Sequence, residues 1–412
     1  MKQEGMKRVV ITGVGLESPI GGTMDEAMQA LVSGRSGVAR VPEWEHLEFL
    51  RPKIAGLVAE HDFKSIPRKY RRSMGRVAEL AASATEKAVV DSGADREWLS
   101  SGDVGIAYGS TMGSLEMLVK YIGHLGRVGD MGEYNATSFL QIMSHTCAAN
   151  LAQMYSIRGR MIAACSACTS GSQAIGFASE AIRWGRILGA IAGGAEEVHF
   201  ISSGTFDIMH GASFAFNDRP EAASRPFDKR RDGLVVGEGA GTVLLEELEH
   251  AKKRGARIYG EVLGFGTNCD GTHITAPSSD GMRAAMELSL SDAGLKPSDI
   301  RYINAHATAT PRGDVAEAEA VRSLFGDKVP ISSTKSLTGH TLGACGAIET
   351  IFCLGMMRDT IVVPTYNLDE LDPECGGIYH PKSVERRELA LVMNNNFAFG
   401  GVNSSLIIGQ VR

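Results

Sequence analysis

Short β-branched runs that end in glycine alternate with alanine-rich helical stretches along the whole chain, and that alternation admits few folds. Residues 9–13, 104–108, 161–164 and 188–192 read as strands, the last ending in Gly193-Gly194. Between them, 76–91 carries a helical pattern that ends near Gly93, and a second helix is expected over about 169–184. Near-continuous apolar strands separated by helices point to an α/β fold with buried sheets.

The second half repeats this grammar. Asp91-Ser92-Gly93, a polar stretch and the strand 104–108 resemble Asp292-Ala293-Gly294, a polar stretch and residues 300–304. Residues 257–265 then resemble the opening strand. The chain therefore divides into two α/β halves, 1–254 and 255–412, joined near 252–256. No Pro/Ser linker separates them, so a single fused unit is expected.

The 412 residues are 43% hydrophobic, enough to bury a large core. A net charge of −6 gives no support to a nucleic-acid partner. No apolar run reaches the length of a membrane span, and residues 1–8 lack the apolar middle of a signal peptide. The seven cysteines are scattered, which reads as a reducing cytoplasm with most of them packed as small hydrophobes.

Three segments carry chemistry. In the first, a buried strand runs through Cys165-Ser166-Ala167-Cys168-Thr169-Ser170-Gly171 into a helix. Cys168 is expected at the helix N-terminus, where free N–H groups and the dipole favour thiolate by about 0.3–2 kcal/mol. A buried core cysteine fits the same residues. Cys165 and Cys168 also spell C-x-x-C, but no second pair stands at metal spacing and the turn lacks redox-motif prolines. In the second, His306 follows a strand, with Thr308 and Thr310 alternating behind it before Pro311, so the three point the same way. In the third, Lys335-Ser336-Leu337-Thr338-Gly339-His340 leads into a helix of small residues containing Glu349. The repeat puts Cys168 and His340 on equivalent loops facing one cavity. A neutral histidine near a helix N-terminus donates a hydrogen bond without charge, and Lys335 with Glu349 would form a buried pair. Near the C-terminus, Phe399-Gly400-Gly401 marks a tight turn after a strand.

Together these segments resemble the β-ketoacyl-[acyl-carrier-protein] synthases of the thiolase superfamily, type II most closely, over about residues 7–408. The resemblance implies a five-layer αβαβα thiolase-like fold and a homodimer, with a heterodimer with a related subunit also compatible. It implies that Cys168 takes an acyl chain from acyl carrier protein. His306 and His340 then assist loss of carbon dioxide from the malonyl-carrier and stabilise the enolate, while Lys335 paired with Glu349 orients the site. The Cys168 and Phe399 N–H groups form the oxyanion hole, and Phe399 is the gatekeeper. Thr275, Thr308 and Thr310 bind the phosphopantetheine arm, which the carrier supplies, and Met112 shapes the acyl pocket. No tightly bound cofactor and no metal are implied. Ala307, Ala309 and Val402 depart from the family's usual Gly, Ser and Thr. Residues 144–150 and 166–176 are also similar to ketosynthases of aryl-polyene and related specialised pathways, with housekeeping fatty-acid elongation equally open.

Acyl carrier proteins are acidic, so the basic run Lys64, Arg68, Lys69, Arg71, Arg72 and Arg76 is a candidate docking surface; a solvated charged segment is the plainer account. Two rival classes remain. A thiolase would use a second cysteine such as Cys345 or Cys375, and a chain-length-factor-like partner subunit would lack the nucleophile. Cys165 could also pair with Cys168 under oxidation.

Overall fold

The computed structural model describes residues 5–59, 62–132 and 134–411. Met1–Glu4 of the polar opening segment lie outside them. Ten strands form the main sheet: β1 (Val9–Glu17), β2 (Val104–Gly109), β3 (Met161–Ile162), β4 (Gly189–Glu196), β5 (Gly239–Glu247), β6 (Gly260–Cys269), β7 (Tyr302–Asn304), β8 (Ile331–Ser332), β9 (Leu391–Ala398) and β10 (Val402–Gly409). Across the sheet the order is β8-β7-β9-β10-β6-β1-β5-β4-β2-β3. Read outward from the β6–β1 seam, the two halves have the same order shifted by five. The seam itself is narrow, pairing Val10 with Glu261 and Ile11 with Gly260.

Six helices build the layers: α1 (Arg76–Ser92), α2 (Leu115–Val128), α3 (Ser170–Arg183), α4 (Ser279–Ala293), α5 (Pro311–Phe325) and α6 (Cys345–Asp359). α1 covers the outer face of the first half-sheet through Val77, Leu80 and Ala84 packed on Ile106, Tyr108 and Leu244. α4 and α5 cover the second through Met286, Leu290 and Val321 packed on Ile303, Met393 and Ile407. α3 and α6 lie between, touching strands of both halves and each other. The result is the five-layer αβαβα arrangement. α6 is buried all round from Cys345 to Met357, as a helix enclosed by two sheets must be.

Glycine pairs set the spacing of the outer layers. A Cβ on Gly13 or Gly15 of β1 would meet the Ala88 or Ala84 carbonyl of α1 at 2.3 and 1.9 Å. Gly264 and Gly266 of β6 stand the same way against Ser289 and Ala285 of α4, at 2.2 and 2.1 Å. Both helices stop at a left-handed glycine, Gly93 and Gly294.

Strand limits differ from the sequence reading: β1 runs on to Glu17, β6 is Gly260–Cys269 and β7 is Tyr302–Asn304. β3 is only Met161–Ile162, an edge strand. β4 runs through Gly193-Gly194 to Glu196, because both glycines stay paired to β5, opposite Thr242 and Gly241. There the missing side chains admit Gly241 and the turn at Gly343.

Candidate active site

Two tight turns open the central helices; Cys168 lies in the first and His340 just before the second. The turn Ala167–Thr169 precedes α3, and Leu342–Ala344 precedes α6. Each begins with a non-glycine residue in the left-handed region, Ala167 at φ 50° and Leu342 at φ 43°. Such backbone costs on the order of 1–3 kcal/mol and persists only where the surroundings hold it. Here the first turn is tied by Ser166 N–H to Ser170 Oγ (2.9 Å) and Thr169 Oγ1 to the Ser166 carbonyl (2.8 Å). Cys168 occupies the place that Gly343 holds in the second turn. His340 stands three residues before Gly343, where the first half has Cys165.

His340 Nε2 lies 3.0 Å from Cys168 Sγ. The His306 and His340 rings meet edge to face with centroids 5.0 Å apart. All three residues line one cavity of about 310 Å³, together with Thr275, Thr308, Thr310 and Phe399. Thr308 and Thr310 are joined by a 3.3 Å hydroxyl contact, and Thr275 is exposed in the loop before α4. Between the two threonines, Ala309 adopts φ 68°, which interrupts the extended run the sequence suggests. Phe399 is 41% exposed on the β9–β10 turn, with its ring 5.5 Å from that of Phe206.

The helix end favours thiolate, but burial works harder against it. Burial pushes the Cys168 thiol up to about 12, against the pull of the Lys335 ammonium. Desolvation outweighs the helix-end contribution because the thiol sits within the Phe206, Leu342 and Cys345 cluster. Burial, then Lys335, holds both histidines well below the usual imidazole range. Both shifts favour a neutral thiol facing a neutral imidazole.

Lys335 lies beneath the histidines, ion-paired with Glu349. Asn396 Nδ2 donates to the other Glu349 oxygen at 2.8 Å. Burial works against the ammonium, but the carboxylate in contact with it keeps Lys335 above its ordinary value.

Three acidic residues that sequence reasoning missed hold the loops. Glu317 of α5 accepts the backbone N–H of His306 (2.9 Å) and Ala307 (2.6 Å). Asp314, one turn earlier, accepts Thr308 N–H (3.1 Å) and Phe227 N–H (2.8 Å). Glu196 at the end of β4 accepts Thr111 N–H (2.9 Å) and Gly343 N–H (3.0 Å). Burial raises them, Glu317 to about 8, Asp314 to about 6 and Glu196 to about 7. The only signal in the sequence was Asp314 and Glu317 at i and i+3, on one face of a helix next to His306.

Other candidates lie elsewhere. Met112 is 43% exposed and is not among the residues lining this cavity. Its loop is pinned by Ser110 Oγ on the Met112 carbonyl and by Thr111 on Glu196, which leaves the side chain outward. Cys165 donates to the Ser144 carbonyl at 3.0 Å, whereas Cys168 faces His340. Cys345 is buried behind the nucleophile with its Sγ on the Cys168 carbonyl (3.2 Å), and Cys375 is buried in the second half's core. Lys64, Arg68 and Lys69 are exposed. Arg76 is committed to an ion pair with Glu238 at 2.5 Å and so is no docking cation.

A thiol, two neutral imidazoles and a buried ammonium at the head of paired central helices define an acyl-transfer site of the condensing type. Residues 6–251 match the N-terminal domain of β-ketoacyl synthase and residues 259–369 its C-terminal domain, and the chain belongs to that family. It is 40% identical to the 3-oxoacyl-[acyl-carrier-protein] synthase 2 of Vibrio cholerae serotype O1, over 98% of this chain and 99% of the other. Its fold matches the crystal structure of a β-ketoacyl synthase from Burkholderia phymatum with a TM-score of 0.95 and 46% identity, over 99% and 100% of the two chains. It also matches a type II polyketide ketosynthase solved with its acyl-carrier protein, with a TM-score of 0.87 and 29% identity, over 99% and 100%.

Proposed function

We propose that this chain is an elongating β-ketoacyl-[acyl-carrier-protein] synthase of fatty-acid or polyene/polyketide biosynthesis, its two halves acting as one unit. The observation that carries this reading is the 3.0 Å contact of Cys168 Sγ with His340 Nε2, with His306 across the same cavity. In the first half-reaction the thiol attacks the acyl thioester of the carrier's phosphopantetheine arm. Its proton passes to His340 Nε2 and on to the departing pantetheine sulfur. The Cys168 and Phe399 N–H groups receive the oxyanion, a role in which one donor is worth about 10²–10³ in rate.

Malonyl-carrier then enters along Thr275, Thr308 and Thr310. An acylated sulfur no longer donates, so Nε2 of the neutral ring is free to carry the proton. Carbon dioxide leaves, and the electron pair it leaves behind forms an enolate whose oxygen meets N–H groups of His306 and His340. The enolate carbon attacks the Cys168 thioester. The cysteine sulfur departs and takes up a proton, giving 3-oxoacyl-carrier. No tightly bound cofactor enters this scheme. Among the described residues no helix is long and apolar enough to cross a membrane, and seven free cysteines suit a cytoplasmic setting.

A second chain is supported by the uncovered side of the first half. β3 ends the sheet, whereas Ile331 N–H of β8 is capped by the Tyr379 carbonyl at 2.9 Å. In the same half α2 exposes Ile122, Leu125 and Val128. A homodimer covers them most simply; a related subunit would also serve.

Intact mass during sequential addition of acyl-carrier and malonyl-carrier protein tests the reading. The expected result is a mass gain absent in Cys168→Ala, then carbon dioxide and a product two carbons longer. Acylation without condensation would point to a missing related subunit, and no acylation from any donor would overturn the reading.

Docking on the basic surface is a separate expectation. Lys64→Glu with Lys69→Glu should raise KM for carrier-bound substrate several-fold, since exposed charges act mainly on encounter. A change confined to kcat would rule this surface out.

A further inference from the structure

The three reactive side chains are also a ligand set. One atom each from Cys168, His306 and His340 lies within 4.8 Å of the other two. One sulfur and two nitrogens on a cavity wall, with room on the open side for water, is the donor set and open geometry of a three-ligand zinc site. We propose that this cavity binds a single thiophilic divalent cation, zinc above all, through Cys168, His306 and His340, and that this cation and the acyl group exclude each other.

Tetrahedral ligation at ordinary Zn–S and Zn–N lengths needs ligand–ligand edges of about 3.4–3.6 Å. The Cys168–His340 edge must open from 3.0 Å, and the widest edge must close from at most 4.8 Å. The short edge opens by side-chain rotation of Cys168 or His340, and His306 can close the wide one. Its ring makes no hydrogen bond among the described residues, its Nδ1 is buried without a partner, and its neighbours are the His340 and Phe397 rings. A backbone shift is not required of the strained turn at Cys168.

Charge sets the strength. Both histidines feel the Lys335 cation. That cation is paired with Glu349, so the repulsion is reduced but not removed. The site is consequently weaker than a structural zinc site and fills when free metal rises. Binding converts Cys168–SH to a metal-bound thiolate and releases one proton to solvent. Acylation removes the thiolate, the strongest of the three ligands, so the acyl-enzyme must bind the metal less well. By linkage, the metal must oppose acylation by the same factor.

The test uses untagged full-length protein and cobalt(II) as a spectroscopic stand-in for zinc. The expected result is one cobalt per chain with a thiolate-to-cobalt charge-transfer band, displaced by one equivalent of zinc. The band should vanish in Cys168→Ala and after acylation. His306→Ala should weaken binding at least tenfold, and His340→Ala likewise. A charge-transfer band that survives in Cys168→Ala, or zinc affinity equal in free and acylated protein, would overturn the proposal. The proposal rests on the acylation assigned above only in its acyl-enzyme arm; the Cys168→Ala, His306→Ala and His340→Ala arms need neither acylation nor condensation.

Discussion

His340→Ala should still take up an acyl group on Cys168, slowly, but should lose decarboxylation of the malonyl thioester by about 10²–10⁴-fold, the usual worth of a positioned acid–base group. On the proposed reading the ring does two jobs from one atom. At 3.0 Å its Nε2 receives the thiol proton, and after acylation the same nitrogen is the nearest donor to the cavity. Acyl uptake survives because the other contributions to it, the turn at the head of α3 and the backbone donors, do not involve the imidazole. His340→Asn separates the jobs. Its amide can donate to an enolate but is a poor proton acceptor, so decarboxylation should recover more than acyl uptake. Intact mass reads the first half-reaction and carbon dioxide release the second. Decarboxylation at the parent rate in His340→Ala would remove His340 from the enolate's environment. The backbone of His340 is fixed by its N–H on the Val235 carbonyl (2.7 Å) and by Gly237 N–H on its own carbonyl (2.8 Å), so truncating the ring should leave the loop in place.

What the sequence could and could not disclose follows from how each residue acts. Cys168, His306, His340 and Lys335 act through side chains next to strand–helix turns, and small residues or a strand end mark those turns in the sequence. The halves were readable for a similar reason, because Gly93 and Gly294 end equivalent helices at equivalent places. Glu317, Asp314 and Glu196 act through backbone amides, which leave no trace of their partner in residue type. Glu196 reaches an amide 147 residues away, and only the meeting of the two central turns reveals that contact. The desolvation of Cys168 is not legible, because a helix N-terminus is visible in sequence while the apolar cluster around the thiol is not. The surroundings of Met112 and Arg76 are illegible for a related reason. A loop pinned by Glu196 turns the first outward, and a buried Glu238 claims the second.

Lys335→Met should destabilise the protein by about 3–5 kcal/mol, the cost of leaving one member of a buried ion pair without its partner. Glu349 is then a carboxylate between two helices, keeping only the Asn396 amide at 2.8 Å. Adding Glu349→Leu removes the stranded charge. The double variant should regain most of the lost stability, since buried pairs exchanged for apolar side chains of similar size are often neutral or better. Equilibrium denaturation of the parent, both single variants and the double variant measures the coupling directly. Activity should not follow stability. The double variant lacks the cation that, after burial, lowers both histidines, so condensation should stay impaired although the fold is restored. A double variant whose loss is the sum of the two single losses would mean that the pair is not coupled. Recovery of both stability and condensation in the double variant would show that the histidines work without it. The expected split, fold restored and chemistry lost, identifies a buried charge pair retained for its effect on the neighbouring imidazoles, at a stability that an apolar pair could match.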